Sequence, residues 1–116
     1  MIEKRKFADA LLLLNRHLKA KPGDTWPLSN RGLVYYESGK PAEAVADWTL
    51  AAAAGDDFAQ NRFGVLYMSG VPGRFSPDPE KGIEWLRKAA EQGNAEAQHN
   101  LPLALGQGAA QTIAVP

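Results

Sequence analysis

A four-residue phrase occurs twice in this chain: Gly32-Leu33-Val34-Tyr35 returns 32 positions later as Gly64-Val65-Leu66-Tyr67. A second recurrence follows at a spacing of 38. Ala51-Ala52-Ala53-Ala54-Gly55-Asp56 matches Ala89-Ala90-Glu91-Gln92-Gly93-Asn94, Ala59-Gln60 matches Ala97-Gln98, and Phe63 matches Leu101. Nearer the N-terminus, Phe7-Ala8-Asp9-Ala10 and Leu14 precede Pro41-Ala42-Glu43-Ala44 and Trp48 by 34 positions. Spacings that differ by a few residues are those of repeated helices joined by loops of unequal length. A chain with such a period builds its core by stacking like units, because one unit alone cannot bury its apolar face.

Each unit reads as two helices. Pro41 and Pro79 stand where a first helical turn begins, Glu43 and Glu80 lie near the positive end of the helix dipole, and Gly55 and Gly93 follow the last apolar position. Ala44, Trp48 and Ala51 form one apolar stripe at helical spacing, as do Ile83, Leu86 and Ala90. The small residues Ala44, Ala51, Gly82 and Ala89 permit close helix approach. Gly32 and Gly64 lie inside helices, where glycine costs about 1 kcal/mol relative to alanine. A cost incurred twice at the same register points to tight packing against a partner helix. The pattern predicts helices near 3–20, 27–38, 41–54, 57–69, 79–92 and 95–101.

Gly32, Tyr35, Gly39, Ala44, Trp48 and Ala51 sit at the spacing of the small and large consensus positions of tetratricopeptide repeats, which this stretch resembles. Phe7, Ala10, Leu14 and Pro22 resemble the second half of such a repeat. Residues 59–94 resemble a Sel-one-like repeat, through Ala59-Gln60, Phe63-Gly64, Tyr67, Gly70 and, most diagnostically, Trp85 with the run Lys88-Ala89-Ala90-Glu91-Gln92-Gly93. Residues 95–101 look like the opening of a further unit. The resemblance implies an all-α fold, a right-handed superhelix or solenoid of antiparallel helix pairs. It divides residues 1–105 into a half repeat (1–22), a tetratricopeptide-like repeat (23–56), a Sel-one-like repeat (57–94) and a truncated final repeat (95–105). Residues 106–116 have no period and are expected to form a flexible tail.

Two departures from the family pattern carry expectations of their own. In the last unit Pro102 replaces the helix glycine and Leu105 the tyrosine, so this helix is expected to kink or stop near Asn100. The first unit has only its second helix, and Leu11, Leu12, Leu13 and Leu14 make that helix apolar nearly all round. One of its faces is expected to be covered by a second copy, giving a homodimer through the N-terminal helix, by the C-terminal tail, or by a partner protein. Alternatively, the chain is a piece of a longer repeat array.

Lys plus Arg equals 13 and Asp plus Glu equals 13, so no global field draws the chain to nucleic acid or to an anionic membrane. No apolar stretch approaches the 18 residues of a membrane span. Lys4-Arg5-Lys6 before an apolar run imitates a signal peptide, but Asp9 interrupts the run and no small-x-small cleavage site follows. The expected location is cytoplasmic, or periplasmic if the chain is processed or truncated. Cysteine is absent, which removes thiolate nucleophiles and Cys-based zinc sites. His17 and His99 lie on different units without a carboxylate pair at fixed spacing, and His17 takes the register of a small packing residue. The 11 glycines follow the repeat and form no phosphate loop. An enzyme is not expected, and neither is a cofactor.

What remains is a module that binds a partner protein or peptide on the concave helical face. Carried over by resemblance, the positions facing that groove are Trp26, Ser29, Leu33 and Tyr36, then Phe58, Asn61, Val65 and Met68, then Glu96 and His99. The set is apolar and amide in character and lacks the cation cluster with which tetratricopeptide domains hold a terminal carboxylate. Two other functions stay open: a bacterial immunity or inhibitor protein capping a toxin, and a structural unit of an oligomer. The loop Val71 to Pro79, where Arg74-Phe75 is a candidate contact pair, and the basic segment Lys4 to Lys21 are further surfaces, the latter able to steer an acidic partner.

Overall fold

The computed structural model describes the backbone of residues 2–113 and the side chains of residues 4–106. Six helices follow one another: α1 (Ile2–Ala20), α2 (Thr25–Glu37), α3 (Pro41–Ala53), α4 (Asp57–Ser69), α5 (Pro79–Glu91) and α6 (Ala95–Ile113). Among the described residues no strand forms; an isolated bridge joins Val71 to Phe75. The chain divides into two compact units, Met1–Ala59 and Gln60–Pro116. Helix α2 packs against α1 and α3 in the first unit, and α5 packs against α6 in the second.

The joints between helices explain why the chain turns where the sequence predicts. Helix α3 ends on a Schellman pattern: Gly55, at φ 98°, donates its N–H to Ala52, and Asp56 donates to Ala51. Helix α5 ends identically, with Gly93 at φ 94° donating to Ala90 and Asn94 to Ala89. The residue after each glycine then caps the next helix. Asp56 Oδ2 accepts from the Ala59 N–H at 2.9 Å, and Asn94 Oδ1 accepts from the Ala97 N–H at 2.8 Å. A single residue thus closes one helix with its backbone and opens the next with its side chain.

The core of the first unit is built around Trp48, which has no exposed surface. A Cβ placed on Gly32 would lie 2.5–2.9 Å from three atoms of the Trp48 indole, closer than carbon atoms tolerate. The glycine is therefore a seat for the ring, and Trp48 Nε1 is fixed there by donating to the Ser29 carbonyl at 3.0 Å. Ala44 and Ala51, the small members of the stripe, are fully buried beside it. In the second unit Leu86, Ala89, Ala97 and Ala104 form the buried cluster, with Met68, Ile83, Ala90 and Leu101 packed against it. Here the helices approach backbone to backbone. A Cβ on Gly64 would meet Leu86 Cγ at 2.6 Å and the Gly82 carbonyl oxygen at 2.9 Å.

Five helices lie within two residues of their predicted limits, whereas α6 runs through Pro102 to Ile113 and corrects the expected stop near Asn100. The proline removes one donor, that to the Gln98 carbonyl, at a cost of about 3 kcal/mol. Ala97 and Ala104, on both sides of it, belong to the buried cluster and Leu101 packs against it, and that packing keeps the helix going. Residues 106–113 of the expected tail are accordingly helical, and 114–116 lie outside the described residues.

Candidate functional site

In the first unit, α2 carries Trp26, Ser29, Leu33 and Tyr36 along one stripe, and these side chains differ in what they offer. Trp26 is 66% exposed in the first turn of the helix. Leu33 and Phe58 are half-buried, and Tyr36 is exposed at one edge while its ring leans on Trp48 at a centroid distance of 5.7 Å. Ser29 is buried, and its hydroxyl donates to Asp56 Oδ2, the carboxylate that also caps α4. Its polarity is spent inside the fold.

In the second unit, Val65 and Met68 of α4 line an open groove with Ser69, Leu86 of α5, and Asn100, Leu103 and Ala104 of α6. The groove measures about 400 Å³, and neither a cation nor a carboxylate lines it. Val65 and Leu103 are exposed at its edges, while Leu86 and Ala104 form a buried floor. Asn61, like Ser29 32 positions earlier, is buried and internally bonded: its Nδ2 donates to Glu96 Oε2 at 3.0 Å, and it accepts from Asn100 Nδ2 at 3.2 Å. His99 is exposed on α6 and does not line the groove. Leu103 stands 38 positions after Val65, at the repeat spacing, but beyond the predicted end of its helix, and Asn100 is not among the predicted groove positions.

A polar cluster that periodicity misses holds the first unit together. Arg31 forks onto the buried Asp47 carboxylate, Nε to Oδ2 and a terminal nitrogen to Oδ1, both at 2.7 Å, and its other terminal nitrogen donates to Asn15 Oδ1 at 2.9 Å. Three helices are joined by one guanidinium. The bond to Asp47 raises the Arg31 pKa above its ordinary value and keeps it charged. His17 is exposed at the end of α1, against its expected packing register, and bonds Asp24 Oδ2 at 2.8 Å. Among the described residues no group of three or more His, Asp or Glu is placed to hold a metal ion, and no helix is long and apolar enough to cross a membrane.

Residues 57–94, which contain Gly64, Gly82 and one wall of the groove, match the family model for the Sel1 repeat. The chain carries a Sel1 repeat. It is 34% identical over 89 residues to an F-box protein of Arabidopsis thaliana, a match that covers 77% of this chain and 24% of that protein. A solved structure, a protective antigen of uropathogenic Escherichia coli strains displaying an SLR fold, superposes with a TM-score of 0.64 at 30% identity, covering 71% of this chain and 18% of that one. The chain corresponds to a minor part of each of these proteins. Sel1 repeats are in general protein–protein interaction modules.

Within the Sel1 repeat, ring contacts tie the long loop between α4 and α5 to the helices. Phe63 touches Tyr67 at 5.1 Å and Trp85 at 5.6 Å, and Tyr67 touches Phe75 at 4.5 Å between ring centroids. Lys88 lies 4.6 Å over Trp85 and Lys81 5.5 Å over Tyr67. Phe75 is thus an internal anchor, locked further by the paired backbone bonds between Val71 and Phe75, while Arg74 is exposed.

Proposed function

We propose that this chain is a protein-binding module whose second unit holds an apolar segment of a partner protein in the groove between α4 and α6. The observation that carries the reading is the groove itself: about 400 Å³, open, uncharged, and walled by Val65, Met68 and Leu103 over a buried floor. Methionine adapts its shape to varied apolar partners, and interface energy concentrates in a few such anchors. Ser69 and Asn100 at the rim offer hydrogen bonds that fix orientation. Trp26, Leu33 and Tyr36 of the first unit are proposed as further contacts, and Phe58 and His99 as minor ones. Ser29 and Asn61 are assigned a supporting role, since their polar atoms bond within the fold.

The test is affinity capture with the intact chain, read by quantitative mass spectrometry, beside Val65→Asp, Leu103→Asp and Trp26→Ala. All three positions are exposed, so helicity and melting should stay unchanged. A partner captured about tenfold less by both groove variants supports the reading, a loss equivalent to about 1.4 kcal/mol. Equal capture by the wild type and both groove variants refutes it.

A further inference from the structure

Helix α1 has two faces of different character. Leu18 is buried and Phe7, Leu11 and Leu14 are half-buried on the side packed against α2. On the other side Leu12 and Leu13 are 58% and 63% exposed. Helical spacing surrounds them with cations: Arg5, Arg16 and Lys19 stand seven, four and seven residues from Leu12, and Lys6 and Arg16 stand seven and three from Leu13. All four are exposed, and among the described residues no ion pair engages any of them. The acid on this face is Asp9. Exposed leucines ringed by exposed cations are complementary to apolar side chains flanked by carboxylates.

We propose that the outward face of α1 docks an acidic amphipathic segment of a partner protein, with Leu12 and Leu13 as apolar contacts and Arg5, Lys6, Arg16 and Lys19 as the cations that select it. A second copy of the chain fits poorly, because a two-fold contact sets the same patch against itself and would bring these cations face to face. A bilayer fits poorly as well. Leu12 and Leu13 point about 100° apart around the helix, and Arg16 and Asp9 lie on the arc between them, so both leucines enter hydrocarbon only by carrying these charges along. A folded partner segment, by contrast, can place a carboxylate at Arg16 and a neutral or basic group at Asp9. The proposal rests on the reading of the chain as a protein-binding module but uses a surface separate from the groove of the second unit.

The experiment uses the full chain and a fluorescein-labelled helical peptide built from glutamate, alanine and leucine, with leucine at alternating third and fourth positions. A matched peptide carries lysine for glutamate, and vesicles of phosphatidylcholine with phosphatidylserine form a third arm. Fluorescence anisotropy should show binding of the glutamate peptide that falls about tenfold between low salt and physiological ionic strength, as expected of exposed charges. Arg16→Glu should weaken it about tenfold, as should the pair Leu12→Ser with Leu13→Ser, with melting unchanged. Leu103→Asp should leave it intact, which separates this surface from the groove. Equal binding of the lysine peptide, indifference to Arg16→Glu, stronger association with the vesicles than with the peptide, or a dimer in sedimentation that Leu13→Ser dissolves would each overturn the proposal.

Discussion

Replacing Gly32 with alanine sets two effects of opposite sign against each other. Within a helix the change is favourable by about 1 kcal/mol, because alanine loses less backbone freedom on folding. Against this, the new methyl would lie 2.5 Å from Trp48 Nε1 and 2.7 Å and 2.9 Å from two ring carbons. The indole has nowhere to go: it is fully buried, and its N–H is committed to the Ser29 carbonyl. Overpacking against a fixed ring belongs at the upper end of the usual range, about 3 kcal/mol. The net expectation is a loss of about 2 kcal/mol, or a fall in Tm of roughly 8 °C for a chain of this size. Gly106→Ala supplies the control, since this glycine also lies in a helix but has nothing within 4 Å of its missing Cβ, and it should raise stability by up to about 1 kcal/mol. Urea denaturation of both variants, with near-ultraviolet circular dichroism to follow the Trp48 environment, gives the answer. If Gly32→Ala is as stable as the wild type, close approach is not why glycine stands there.

Two further experiments, on four substitutions, probe side-chain contacts within each unit. Arg31→Met strips the buried Asp47 carboxylate of both its hydrogen bonds and should cost about 3 kcal/mol, whereas adding Asp47→Leu to it should restore part of the loss; a double-mutant cycle in urea that shows no coupling would count against the fork. Asp56→Ala and Asn94→Ala each remove a helix cap worth about 1 kcal/mol, and Asp56→Ala should cost more because it also orphans the buried Ser29 hydroxyl. Thermal melts should rank the two in that order, and the reverse order would show that the bond from Ser29 contributes nothing.

What the sequence discloses here, and what it hides, follows from how local each determinant is. The limits of α3 and α5 are legible because Pro41 and Pro79 fix a first turn and Gly55 and Gly93 supply the positive φ that ends a helix, all within a few residues. The positions of Gly32 and Gly64 are legible because recurrence marks a packing need even when the partner is unseen. The length of α6 is not, since the proline rule is local and the burial of Ala97 and Ala104 that overrides it depends on α5. Ser29 and Asn61 mislead for a related reason. A hydroxyl and an amide on a helix suggest a solvent-facing groove, but Asp56, Glu96 and Asn100 come from elsewhere in the chain to satisfy them indoors. The groove shows the same limit: Val65 and Met68 are readable from the register of α4, while Leu103, its opposite wall, follows a proline at which the sequence predicts that the helix has ended.

The double duty of Asp56 and Asn94 bears on where such a chain can change length. A residue inserted after Gly55 or Gly93 would part the backbone donor from the side-chain acceptor, so that one helix loses its closure or the next its opening. Asp78 also serves two helices, its N–H donating to the Tyr67 carbonyl of α4 and its Oδ1 accepting from the Lys81 N–H of α5, but before it the hairpin locked by Val71 and Phe75 already holds extra chain. Insertions and grafted peptides belong at the tip of that loop, near Gly73. The Gly-Asp and Gly-Asn joints have a set length, and an engineer would do well to leave them alone.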